Sequence, residues 1–187
     1  MPEAVIVAAG RSPIGRAGKG SLIGVRPDDL AAYVTCKVLE QVPQLERTDI
    51  DDLLCGCGLP GGEQGFNLGR VISILTGLNV PGCTITRYCS SSLQTTRMAM
   101  HAIRAGEGEA FVSVGVESVS RYGNGTSDPD DARNHRLLPG NDEDLPDVYI
   151  AMGQTAENVA EREGIGREEM DRFATNSQNR AVHAQED

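Results

Sequence analysis

CTITRYCSSSLQTTRMAMHAIRAGEGEAFVSVGV, residues 83–116, places a β-strand, a helix and a second β-strand in one continuous run. Residues 83–88, CTITRY, carry the β-branched and apolar side chains that suit a pleated, half-buried backbone. A helix is predicted from Cys89 to Arg104, with Leu93, Met100 and Ile103 on one side. Gly106 and Gly108 end it, and residues 109–116, EAFVSVGV, read as a strand buried on both faces. Strands that alternate with helices are the pattern of a layered domain with a largely parallel sheet. The unit therefore predicts a layered α/β domain with a mostly parallel sheet.

The pattern extends toward the N-terminus. Residues 52–57, DLLCGC, read as another strand, and Asn67 or its neighbours cap a helix bearing Leu68, Val71, Ile72 and Leu75. Pro27-Asp28-Asp29 opens an earlier helix, with proline in the first turn and acids at the positive end of the dipole. Its apolar side is Leu30, Val34, Val38 and Leu39, and it stops before Pro43. The run AVIVAA at 4–9 reads as a first buried strand, followed by a Gly- and Pro-rich loop from Gly10 to Gly24. It is too short, and lacks the preceding basic residues, for a secretion signal.

Beyond residue 118 the texture changes, so an α/β domain is assigned to 1–118 and a second region to 119–187. From Arg121 to Asp147 the chain is polar, rich in Gly, Asp, Asn and Pro, and without apolar period. Two helices are then predicted, about Met152 to Arg162 and Arg167 to Gln185. The second carries Met170, Phe173, Ala174, Ser177 and Ala181 on one face.

Composition narrows the functional classes. The chain has 187 residues, enough for a core without disulfide staples. Seventeen basic residues face 27 acidic ones, a net charge of -10, which argues against a nucleic-acid or membrane-surface binder. No apolar stretch approaches the roughly 20 residues of a membrane span. The five cysteines, an odd number without a secretion signal, predict reduced thiols in a cytoplasmic setting. Cys55-x-Cys57 has the wrong spacing for zinc and no second pair follows, so no metal site is expected. Gly15 to Ser21 resembles a phosphate loop only superficially, because Gly20 separates Lys19 from Ser21, where the magnesium-binding hydroxyl should follow at once.

Cys89 is the principal chemical candidate. A strand-to-helix turn presents its side chain at the carboxyl edge of the sheet, where α/β folds build their sites. A helix N-terminus favours the thiolate, the form that attacks acyl carbons. A small buried core residue fits that position equally. Cys36, Cys55, Cys57 and Cys83 lie within helix or strand patterns and are expected to pack the core. His101 falls 12 residues along the helix, roughly 18 Å from Cys89 at 1.5 Å per residue, too far to act as its base. His135 and His183 are expected on the surface, and the acidic clusters Asp128–Asp131 and Asp142–Asp144 are expected to be solvated loop.

The residues also resemble a known family. TRYCSSSLQTTRMA at 86–99 is similar to the nucleophile motif of the thiolases, the acetyl-CoA acetyltransferases and 3-ketoacyl-CoA thiolases. AAGRSPIGRAGKGSL at 8–22, SVGVESVSR at 113–121 and MGQTAENVAEREGIGREEMDRFATNSQNRA at 152–181 resemble, in order, its opening strand and loop, its Gly-x-Glu-Ser-Met-Ser strand end and its loop-domain helices. The resemblance implies the first layered half of the thiolase fold plus part of the helical loop domain. It implies acyl transfer between CoA thioesters through an acyl-cysteine at Cys89, whose own N–H helps form an oxyanion hole. Met152 matches a methionine lining the acyl-CoA pocket. Acetyl-CoA or another acyl-CoA is then a substrate, no cofactor is required, and homo-oligomers are expected.

Two departures stand out. Ser92 occupies the usual glycine position of the motif, so its hydroxymethyl group must find room. The family's Gly-His-Pro histidine and second cysteine have no match, so the chain by itself is expected to be an incomplete, inactive part of the enzyme. The alternatives are one subunit of a split thiolase, with a separate C-terminal half, and a non-catalytic acyl-CoA-binding or assembly module.

Overall fold

Leu53, Leu54 and Cys55 form a continuous apolar run and are all buried, which is the signature of a central parallel strand. They belong to β1, Asp52–Gly56. The computed structural model describes residues 2–123, 132–140 and 146–186. Its contacts divide the chain into two units, Met1–Pro129 and Asp130–Asp187.

In the first unit β1 is flanked by β2, Gly82–Ile85, and β3, Phe111–Gly115. Both pairings are parallel, the order is β2-β1-β3, and Leu53 lies opposite Gly82 on one side and Val112 on the other. Three helices accompany the sheet: α1, Pro27–Leu39; α2, Leu68–Leu75; and α3, Ser91–Ala105. Alternation along the strands divides the helices between the two faces. Leu53, Cys55 and Cys57 join one cluster with Ala31 and Ala32 of α1 and Leu68 and Ile72 of α2. Ser113 and Gly115 of β3 instead meet Thr95 and Ser92 of α3. Leu53, Leu68 and Ile72 are completely buried, each contributing about 1.5–3 kcal/mol by leaving water.

The buried side of α1 consists of Pro27, Asp28, Ala31, Ala32 and Thr35, smaller residues than the predicted Leu/Val stripe. Leu30, Val34, Val38 and Leu39 are only half-buried. Burial raises the Asp28 carboxyl, but hydrogen bonds from Arg26 and the Asp29 N–H outweigh it and leave the group below its ordinary range.

One expected strand does not form. Residues 4–9 run without a ladder partner, and Val5, Ile6 and Val7 are 68%, 78% and 71% exposed. An apolar run signals that a strand needs neighbours on its edges and cover on its faces. The outer edges of β2 and β3 do not take up this run, so among the described residues the sheet has three strands where the sequence predicted four.

Among its described residues the second unit contains a 3-10 turn at His135–Leu137 and two α-helices, α4, Met152–Glu163, and α5, Arg167–Glu186. Gly164, at φ 66°, ends α4, and the Ile165 N–H returns to the Ala160 carbonyl at 2.9 Å. The predicted apolar face of α5 is largely open, with Phe173 76% exposed. Asp128–Asp131 and Asp142–Asp144 lie outside the fully described residues. No helix among the described residues is long and apolar enough to cross a membrane.

Candidate active site

The strand that leads to Cys89 stops early. β2 ends at Ile85, and residues Tyr88–Ser90 form a 3-10 turn before α3 begins at Ser91. The thiol therefore sits in a separate tight turn rather than in the first residue of the α-helix. Tyr88 adopts φ 45°, a left-handed conformation uncommon for a bulky residue. Such backbone persists where surrounding contacts over-determine it, and these cluster at functional sites.

Serines supply those contacts. The Ser91 hydroxyl donates to the Tyr88 carbonyl at 2.6 Å and accepts from the Arg87 N–H at 2.8 Å. Ser91 is only 3% exposed, so its hydroxyl ties the turn together away from competing water. The Ser90 hydroxyl donates to the Arg87 carbonyl at 2.9 Å, and the Arg87 guanidinium donates to Gln94 at 2.9 Å.

Two glycines let α3 begin directly against the sheet. A Cβ on Gly56 would stand 2.6 Å from the Ser92 nitrogen, closer than any real contact. A Cβ on Gly115 would overlap the Ser92 hydroxyl. The hydroxymethyl group of Ser92 thus occupies space left by a glycine on the facing strand. Thr95, fully buried, and Thr96 share hydrogen bonds with Ser113 at 2.8 and 2.9 Å and fasten the helix to β3.

The cysteines separate by environment. Cys55 and Cys57 are buried, and Cys89 is exposed. Burial, reinforced by nearby Cys57, Cys83 and Glu117, pushes the Cys55 thiol up to about 12. Burial and then the Glu117 carboxylate do the same to Cys57, also to about 12. Both remain neutral thiols at physiological pH. Cys36 and Cys83 are half-buried, short of the full core burial expected for them, and burial raises Cys83. His101 is exposed within α3, and His135 lies in the second unit. Met152 also belongs to the second unit, where it opens α4 and is 74% exposed. Among the described residues, no cluster of three or more His, Cys, Asp or Glu side chains could hold a metal.

Around this turn lies a polar assembly that the sequence did not announce. Glu117, just beyond β3, accepts from the Gly58 N–H at 2.7 Å, the Leu59 N–H at 3.3 Å and the Gln64 amide at 2.9 Å. Gln64, 2% exposed, also donates to the Leu59 carbonyl at 2.8 Å and accepts from the Ser118 N–H. Glu63 pairs with both Arg121 and Arg26. The Arg121 hydrogen bonds, reinforced by the charges of Arg121 and Arg26, hold the Glu63 carboxyl below its usual range. Glu117 and Arg121 belong to the SVGVESVSR segment, which hinted at importance without showing these partners. Gln64 lies in a loop with no periodicity and gave no signal.

Comparison with known proteins accords with this architecture. The family model described as "Thiolase, N-terminal domain" matches residues 4–187. The chain is 41% identical to a 3-ketoacyl-CoA thiolase of Bacillus subtilis, covering 98% of this chain and 46% of that protein. It is 40% identical to a beta-ketoadipyl-CoA thiolase of Acinetobacter baylyi, covering 99% and 49%. It is 38% identical to a 3-oxoadipyl-CoA/3-oxo-5,6-dehydrosuberyl-CoA thiolase of Escherichia coli K12, again over 99% and 49%. The chain spans about half the length of these curated relatives. With a parallel α/β sheet, an exposed cysteine on a strained turn and a family match along nearly its whole length, the chain belongs to the thiolase family.

Proposed function

We propose that the protein carries the acyl-accepting half of a thiolase reaction, with Cys89 as nucleophile and an acyl-CoA thioester as substrate. The observation that carries this reading is the exposed Cys89 thiol in a serine-stitched turn behind a left-handed Tyr88. The Cys89 sulfur attacks the thioester carbonyl as its thiolate and forms a new carbon–sulfur bond. The tetrahedral adduct collapses, the bond to the CoA sulfur breaks, and CoA departs with the electron pair and takes up a proton. The Cys89 backbone N–H is proposed as one of the donors to the oxyanion. Acetyl transfer is the simplest case, and the relatives' names point to 3-ketoacyl and beta-ketoadipyl thioesters for those proteins.

Met152 is proposed to line the acyl-CoA pocket. Completion of the cycle, by carbanion attack or by thiolysis, requires a base and a second thiol. The three histidines follow Met100, Asn134 and Val182, so none provides the family's Gly-His-Pro segment. Those groups have to come from outside these 187 residues, from the remainder of a longer chain or from a separate one.

The test is mass spectrometry after exposure of the protein to acetyl-CoA. The expected result is one hydroxylamine-sensitive acetyl group on the peptide containing Cys89, absent in Cys89→Ala. Acetylation elsewhere, or no adduct with or without the complementary half, would favour a module that binds without turnover.

A further inference from the structure

We propose that Glu117 is a positioning residue for Cys89, acting through the loop that follows β1. This rests on the reading of Cys89 as the nucleophile. The carboxylate is surrounded by donors: the Gly58 N–H on one oxygen, and the Leu59 N–H, the Gln64 amide and the Cys57 thiol, at 3.6 Å, on the other. Oε1 takes three of these donors and Oε2 one, so the carboxylate ties the loop after β1 to the end of β3. Glu117 acts here as an anchor for that loop.

What it anchors is the backbone touching the nucleophile turn. A Cβ added to Gly58 would lie 2.8 Å from the Glu117 oxygen and 3.5 Å from both the Cα and carbonyl carbon of Tyr88. Gly58 is thus wedged between the carboxylate and the left-handed residue next to Cys89. Its carbonyl accepts from the Thr86 hydroxyl at 3.0 Å, one residue beyond β2. The Cys57 N–H reaches the Ile85 carbonyl at 3.0 Å, which joins the same two segments. Gln64 completes the clamp from its buried site by bonding both the loop and the Ser118 N–H. The order of dependence is Glu117, then Gly58, then Tyr88 and the thiol.

A matched control exists at the opposite end of the sheet. Asp51 accepts from the Glu109 and Ala110 N–H groups at 2.7 and 3.1 Å, a carboxylate clamp of the same kind. It joins the starts of β1 and β3 and touches nothing near Cys89. Glu117→Gln places an NH2 against donors, so the isosteric change still breaks the clamp. Asp51→Asn does the same at the far end.

The experiment compares the full chain with Glu117→Gln and Asp51→Asn. It measures the rate of Cys89 alkylation by iodoacetamide, the amide resonances of Tyr88, Cys89 and Ser90, and the urea midpoint. In Glu117→Gln we expect the rate to change about fivefold or more, with the three resonances displaced. Asp51→Asn lowers the urea midpoint while leaving the rate and those resonances in place. Should Glu117→Gln fail to fold, Gly58→Ala displaces the same carboxylate without removing a polar group, and its alkylation rate decides. A folded Glu117→Gln, or failing that Gly58→Ala, that alkylates like the unsubstituted protein overturns the proposal. Alkylation needs no CoA, so it reads positioning separately from acyl transfer. Loss of acetylation in the unsubstituted protein with the alkylation contrast intact would sink the functional reading and keep the clamp.

Discussion

The two edges of the sheet solve the problem of reversing the chain in different ways. At the amino edge, the turns leaving α2 and α3 use Gly77 and Gly106, at φ 73° and 77°, and Asn79 at 54°. Glycine and asparagine tolerate that conformation. In the loop after β1 and in the nucleophile turn the left-handed positions fall on Gly62, Phe66, Asn67 and Tyr88, at 56°, 56°, 56° and 45°. Phe66 and Tyr88 are also 92% and 72% exposed, so their rings gain little from packing. The amino edge is built for economy of strain. The carboxyl edge holds strained, exposed residues through side-chain networks, and Cys89 stands among them.

The largest expected effect tests how closely α3 sits on that edge. Gly56→Ala forces a methyl group against the backbone of Ser91 and Ser92, which no flexible side chain can relieve. We expect a loss of about 3 kcal/mol in urea unfolding, at the upper end for overpacking. Acetylation of Cys89 should fall with it. A loss below about 1 kcal/mol would show that the helix start is free to slide and that the edge is less tightly built than its glycines imply.

A paired substitution then reads the strain directly. Gly106→Ala meets no atom within 4 Å, so its cost is conformational only, about 1 kcal/mol. Tyr88→Gly removes an exposed ring and relieves the left-handed penalty, with an expected gain of about 0.5 kcal/mol. The two changes have opposite signs because position 106 already uses glycine where position 88 does not. Tyr88→Gly should also loosen the turn and slow Cys89 acylation. Destabilisation by Tyr88→Gly would mean that the ring makes contacts worth more than the strain.

These edges were unequally legible in the sequence. β1 to β3 and the five α-helices among the described residues follow from apolar runs, period and caps, because those signals are local. The strand at 4–9 did not form, since an apolar run states a need for partners but not where they are. The packing side of α1 was misjudged because close approach to α2 favours Ala31 and Ala32 over larger residues. Cys89 was legible from its elbow and its motif. The clamp was not, because Gln64 and Glu117 stand 53 residues apart and meet only after the sheet has aligned the ends of β1 and β3.

The smallest expected effect separates the edges by electrostatics. Arg121 holds Glu63 below its ordinary range, and the N–H groups of Ala110 and Glu109 do the same for Asp51. A carboxyl lowered on folding contributes stability that is complete above the unfolded value of about 4 and is lost as pH falls through the folded value. Both edges should therefore weaken on acidification below that value, and acid alone cannot distinguish them. Salt can. The Glu63 partners are guanidinium charges, which dissolved ions screen, whereas the Asp51 partners are peptide dipoles. At neutral pH, raising NaCl should lower the melting temperature by on the order of one degree. That response should shrink in Glu63→Gln, where the Arg26–Asp28 pair remains, and persist undiminished in Asp51→Asn. An undiminished response in Glu63→Gln would place the salt-sensitive charge elsewhere, and the carboxyl edge would then owe its rigidity to Glu117 and the serines rather than to its ion pairs.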